Sequence, residues 1–238
     1  MKVGVVTGFI PLPVLHLSET RYHELYRELH DAVLGAGAVL SKQGGTLAEC
    51  WAYPMCTGFP PANPPPPDRY ETPEINVMSH IVQHQRTTWA MRAMYENPEV
   101  DIWVWLDYGI MKQGAWRNKQ ITPESVRNFI RRLRDTPKLD VIPFPGIADM
   151  ATVYPTGNNW RFCGSTHIWP RQFLPAINHA YKETLEAWIT NNRTVPLDLP
   201  IWALVEQRYS QLPFRWYAAE YDASQLENYH DPALQPRA

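Results

Sequence analysis

The chain opens on an unbroken apolar run, Val3 to Phe9 (VGVVTGF), that stops just short of Pro11. A run without a polar alternation has no solvent face, so it predicts a strand buried on both sides, as in an α/β sheet. Tyr22, Leu25, Tyr26, Leu29, Ala32 and Val33 then recur at three- and four-residue spacings before Gly35 and Gly37. That period predicts a helix laid over the first strand. Pro54 to Pro73 holds 8 of the 23 prolines, including the run Pro64 to Pro67, together with Tyr53, Phe59, Arg69 and Tyr70. Proline lacks an N–H and clashes with a preceding turn, so this stretch is expected to be a stiff loop packed over the domain, neither helix nor central strand.

Ser79 is expected to cap a helix reaching Glu96, with Ile81, Val82, Trp89, Ala93 and Met94 on one face and Asn97-Pro98 as its stop. Asp101 to Leu106 (DIWVWL) predicts a short strand tipped by Asp107, Tyr108 and Gly109. Thr122, Pro123 and Glu124 announce a helix whose apolar stripe is Val126, Phe129, Ile130 and Leu133. Asp140 to Phe144 and Trp160 to Trp169 read as strands, the second interrupted at Gly164, with turns at Gly146, Pro155 and Gly157 between them. Helices are expected from near Pro170 and near Pro200, and Phe214 to Ala218 (FRWYA) reads as a final strand. The alternation predicts one α/β domain over residues 1–230, with a mostly parallel sheet and helices on both faces, and a frayed tail at 231–238. Ligands of such sheets bind at the carboxyl ends of the strands, which directs attention to Thr7 and Gly8, to Asp107 through Gly109, and to Gly164 through His167.

Composition supports a folded chain: 238 residues, 45% apolar, 19% charged, with 10 Trp. A net charge of -2 excludes a chain that wraps nucleic acid through bulk electrostatics alone. Cys50, Cys56 and Cys163 are odd in number and lack a CxxC spacing, which argues against a disulfide framework and for a reducing cytosol. The amino-terminal apolar stretch is broken by Pro11, Pro13 and His16 and reads as a strand, not a signal peptide, and no run approaches the roughly 20 apolar residues of a membrane span. A cytoplasmic protein is expected. Neither GxxxxGK[ST] nor GxGxxG occurs, which sets aside the common phosphate-cradling loops, and no GxSxG elbow surrounds Ser165.

Asp107 then stands out, because a carboxylate at the tip of WVWL is costly unless a cation pairs with it, and a divalent metal is one such partner. The segment Glu96 to Ile110, a helix ending in ENP followed by WLDYGI, resembles GT-A class glycosyltransferases, and most of all the HtrL-like family with its WIDAGI-like strand tip. The resemblance implies a single GT-A-like, Rossmann-like domain that transfers a sugar from a nucleotide-sugar donor, a UDP-sugar in the first instance, to an acceptor hydroxyl. It implies that Mn²⁺ or Mg²⁺ on Asp107 stabilises the departing diphosphate. The class usually carries DxD, whereas this chain has Asp107, Tyr108, Gly109, so the second acid is missing; His230 in ENYHDP is the second metal ligand the resemblance suggests, and equally a solvated terminal histidine.

By the same resemblance Thr7, Gly8 and Phe9 receive base and ribose, and Gln85 and Arg86 stand where the family has a lysine, Arg86 being suited to a bidentate grip on diphosphate. Gly109 belongs to the same tip. Gly164, Ser165, Thr166 and His167 resemble an acceptor-side loop with hydroxyl contacts to sugar, or else form a bulged strand. Asp198 is placed as a general base toward the acceptor, or else as a first-turn helix acid, with Glu206 a lesser candidate. His80 and His84 share the HxxxH spacing but no further zinc pattern, and read as structural. The tryptophans at 103, 105, 160, 169, 202 and 216 read as core.

Residues 112 to 138 carry eight basic side chains (Lys112, Arg117, Lys119, Arg127, Arg131, Arg132, Arg134, Lys138) against Glu124 and Asp135, a surplus of six. Such a face suits a polyanion. It leaves open a glycosyltransferase acting on hydroxymethylated bases of phage DNA, or a module that binds nucleic acid or glycan without catalysis, beside the plainer reading of a solvated helix face.

Overall fold

Strand β1 (Val3–Phe9) runs through the middle of the computed structural model, which describes residues 1–12, 18–62, 73–115, 119–146 and 162–229. Helix α1 (Glu19–Gly35), capped by the Ser18 side chain, returns the chain to strand β2 (Val39–Gly44), which pairs with β1 in parallel from Gly4↔Val39 to Phe9↔Gly44. A short helix α2 (Tyr53–Cys56) precedes α3 (Pro73–His84) and α4 (Arg86–Glu96), and β3 (Ile102–Leu106) then pairs in parallel with the other edge of β1. Helix α5 (Pro123–Asp135), β4 (Ile142–Gly146), β5 (Thr166–Pro170), α6 (Leu174–Asn192), α7 (Asp198–Arg208), β6 (Phe214–Ala218) and α8 (Ser224–Glu227) complete the described chain.

The main sheet has the order β2-β1-β3-β5, with β5 antiparallel to β3, and β4 and β6 form a separate parallel pair. The split follows from the sequence IPFPG. Ile142 donates to Pro213 on the β6 side, so the alternate residues Pro143 and Pro145 face the other edge, where neither has an N–H to give. One bond crosses there, from the Cys163 amide to the Pro145 carbonyl at 2.8 Å.

The sheet has apolar cores on both faces. Val3, Val5, Ile102, Val104 and Ile168 pack toward α1 and α5; Val6, Trp103, Trp105 and Trp169 pack toward α4, α6 and α7. The glycines of β1 make room for the second set. A Cβ on Gly4 would lie 2.4 Å from the Trp103 ring, and one on Gly8 would lie 2.2 Å from Trp89. Asp107 continues the parity of Trp103 and Trp105 toward α4, while Tyr108 turns to the α1 side.

Several expectations need correction. Strand β2 escaped the pattern because its inward residues are the polar Ser41 and Gln43, bonded to each other at 2.7 Å. Ser79 caps nothing: it lies inside α3, donating to the Asn76 carbonyl, and the single helix expected to Glu96 is two helices broken at Gln85. Tyr53–Cys56 is helical despite Pro54, which occupies a first-turn position where its missing N–H costs nothing, and Pro73 opens α3. Pro170 closes β5, and α6 begins later, at Leu174; α7 begins at Asp198, before Pro200. Pro64 to Pro67, Arg69, Tyr70, Arg117, Pro155, Gly157, Trp160, His230 and the tail 231–238 lie outside the described residues.

Candidate functional site

The carboxyl ends of β1 and β3 meet at a cleft of about 180 Å³. Its floor is Gly8 and Phe9 from β1 and Asp107, Tyr108 and Gly109 from the β3 tip; Tyr22 of α1 and Lys112 close one side, and Val82, Gln83 and Arg86 the other. Two wider hollows, about 620 and 850 Å³, lie between the start of α5 and α8, and at the amino end of the sheet beside Met1 and Asp101. The second is at the amino end of the sheet, away from where this topology places ligands; the first lies beyond the ends of β3 and β6 but has no aromatic side chain in its lining.

On the α4 side the cleft is built on one arginine. The tightened turn at Gln85, whose amide bonds back to Val82, aims Arg86 into the interior, where its two terminal nitrogens reach different carboxylates: Asp107 at 3.1 Å and Asp198, its closest partner. The Trp105 indole N–H donates to the same Asp107 oxygen at 2.7 Å, and the guanidinium lies 5.4 Å from the Trp105 ring. Burial opposes the charge on Arg86, and Asp107 and Asp198 together outweigh that cost and raise its pKa. Burial pushes Asp198 up, with Arg86 pulling it down. Asp107 is 29% exposed, and its second oxygen has no partner among the described residues. It is a carboxylate fixed from behind with one acceptor turned to solvent.

On the α1 side the site is aromatic. Tyr108 is sandwiched between Phe9 (4.8 Å) and Tyr26 (4.6 Å, rings within 4° of parallel), and Tyr22 tilts against Phe9 at 5.5 Å. Tyr108 is held in place by a 2.8 Å bond between its hydroxyl and His23 Nδ1. Lys112 donates to the Tyr22 hydroxyl at 3.0 Å and lies over that ring.

The expected site residues divide accordingly. Gly8, Phe9, Arg86, Asp107 and Gly109 come together at the cleft. Thr7, Ser165 and Thr166 are buried at 0–1% exposure, and Ser165 is bonded to Gln225, so their hydroxyls face the interior and not a ligand. His167 is equally enclosed, among Phe144, Trp169 and Trp202. Gln85 is a structural tie, accepting the Trp51 amide at 3.1 Å. Gly164 is closely packed: a Cβ there would meet the Leu199, Arg86 and Asp198 side chains at 3.2–3.4 Å, which would have to give slightly. Asp198, the expected base, is 3% exposed and bound to Arg86, which makes it a counter-ion beneath the site, out of reach of an acceptor hydroxyl. The sequence reading missed Tyr22 and Lys112 as site residues, and marked Tyr108 only as part of the strand tip. Tyr22 was absorbed into a core stripe and Lys112 into a basic run.

Among the described residues, which do not include His230, the donor set does not fit a divalent ion. The one cleft carboxylate has an oxygen committed to two donors, one of them a cation 3.1 Å away that repels a metal. Among the described residues no three His, Cys, Asp or Glu side chains gather at any point. Two of the basic side chains of the 112–138 stretch form surface ion pairs and three donate to neutral oxygens. Arg127 pairs with Glu124, Arg131 with Asn128, Arg132 with the Leu226 carbonyl, Arg134 with the Ala36 carbonyl, and Lys138 with Asp140. Among the described residues no helix is long and apolar enough to cross a membrane.

No family model matches the chain, and no curated protein matches it either. Among solved structures it is similar to a glycosyltransferase involved in the glycosylation of the major capsid of PBCV-1, with a TM-score of 0.52 and 10% identity, over 92% of this chain and 82% of that one. At that identity the likeness is one of fold.

Proposed function

We propose that this chain is a glycosyltransferase whose cleft at the tips of β1 and β3 takes a nucleotide-activated sugar. The observation that carries the reading is the pairing, at that one place, of the half-buried rings of Phe9 and Tyr22, which line the cleft, with a braced, partly open carboxylate. Ring faces suit a planar base, and a fixed carboxylate oxygen suits a sugar hydroxyl. The fold shared with a glycosyltransferase supports it across most of the chain. A hollow of about 180 Å³ is smaller than a typical small-molecule pocket and holds one moiety of such a donor, the remainder lying across the open mouth.

In this reading Asp107 accepts a donor hydroxyl and orients the activated sugar, while Arg86 and Trp105 hold the carboxylate still. Positioning of this kind is worth about 100-fold when lost. The test is turnover of a panel of nucleotide sugars by the wild type and Asp107→Asn. In the variant the two donors behind residue 107 keep the amide oxygen, so its NH₂ faces the cleft and an acceptor becomes a donor. Turnover should fall about 100-fold with the melting temperature little changed. Equal turnover in the two proteins overturns the role of Asp107, and no turnover of any nucleotide sugar by the wild type counts against the function.

A further inference from the structure

The diphosphate of a nucleotide sugar brings two or more negative charges to a cleft that already contains Asp107. Arg86 cannot offset them, because it is matched by two carboxylates and contributes no surplus charge. Among the described residues no second ligand joins Asp107 for a divalent ion, and one of its oxygens already takes two donors. Lys112 is different. It lines the same cleft, it is only partly buried, and its described partners are the hydroxyl and ring of Tyr22, with no carboxylate among the described residues within ion-pair distance. The neutral phenol takes one ammonium N–H, leaving two donors and the whole charge for a ligand. The Ile110–Lys112 turn that carries it is anchored beneath by buried Ile110 and Met111, so the ammonium is presented from a fixed base.

We propose that Lys112 is the anion-binding residue of the cleft, taking the phosphate oxygens of a nucleoside diphosphate without a divalent metal. This rests on the nucleotide-sugar reading and adds to it the source of the positive charge. The neighbouring Phe9 and Tyr22 faces then hold the base, so affinity for the nucleoside and affinity for the diphosphate reside in separable groups.

Isothermal titration calorimetry on the full chain separates the possibilities. UDP, GDP, ADP, CDP and dTDP, each beside its parent nucleoside, are titrated in EDTA and again in Mn²⁺, against the wild type, Lys112→Met and Lys112→Arg. The expected result is one diphosphate whose Kd agrees within about threefold between EDTA and Mn²⁺, weakens about tenfold or more in Lys112→Met, and is largely restored in Lys112→Arg. The parent nucleoside should bind both variants as it binds the wild type. Diphosphate binding that requires Mn²⁺ overturns this proposal and leaves the glycosyltransferase reading standing. Metal-independent binding that Lys112→Met leaves unchanged, or a variant that loses nucleoside and diphosphate equally, overturns the assignment to Lys112. No binding of any nucleoside or diphosphate under either condition overturns the functional reading and this inference with it.

Discussion

Arg86 and its two acidic partners show how one residue type serves two ends. Asp198 lies under the site at 3% exposure, and Asp107 stands at its edge with nearly a third of its side chain open. Removing one member of a buried ion pair strands the other, at about 3–5 kcal/mol, whereas neutralising a partly solvated partner in place costs far less. Asp198→Ala should therefore lower the unfolding free energy by about 3–5 kcal/mol in urea denaturation, and Asp107→Asn by about 1 kcal/mol or less. Equal losses in the two variants would refute the distinction between brace and site residue. Asp107 was legible in the sequence because a carboxylate directly after WVWL has few reasons to be there. Its arginine was legible only as a neighbour of the right region. Asp198 is a first-turn acid of α7, a place where such residues are ordinary, and nothing in PLDLPIW indicates that its side chain turns inward to Arg86.

At the scale of elements, the break between α3 and α4 positions everything on the α4 side of the cleft, and it has no proline or glycine to announce it. A buried polar join holds α3 in place. Neutral His84 donates from Nε2 to the Pro196 carbonyl at 3.1 Å and accepts from the Tyr181 hydroxyl of α6 at Nδ1, 2.7 Å, so one tautomer satisfies both neighbours. Burial holds His84 down to about 3 and His80 down to about 4, against 6.5 for the unfolded chain. The unfolded state thus takes up more protons below pH 6.5, so the stability these residues allow is fully present above 6.5 and is lost as pH falls toward 4. Between pH 6.5 and 5 the loss should be about 1.5 kcal/mol per histidine. Melting temperatures recorded from pH 7.5 to 5 should fall steeply below 6.5, and a flat profile would show that α3 is not held by neutral histidines. The periodicity of Ile81, Val82 and Trp89 announced helix on both sides of this join but carried no mark of the turn at Gln85. Strand β2 was hidden for the opposite reason, since its buried positions are polar and satisfy each other.

For the whole molecule, alternation of apolar strands and amphipathic helices was enough to predict a mostly parallel sheet covered on both faces, and the first and last strands, β1 and β6, fall where the pattern puts them. The separation of β4 and β6 from the main sheet was not predicted, although Pro143 and Pro145, two residues apart on one edge, are its cause. The cleft required the fold itself: Phe9, Tyr22, Asp107 and Lys112 are remote or unremarkable along the chain, and only the parallel pairing of β1 and β3 brings them to one end of the sheet. That convergence is the central claim. Hydrogen–deuterium exchange on the wild-type chain, with and without millimolar nucleotide sugars, locates the ligand without presuming its identity. The account predicts slowed exchange in peptides spanning Gly8–Phe9 and Asp107–Lys112 and unchanged exchange at the amino end of the sheet around Asp101. Protection confined to any other surface would contradict it.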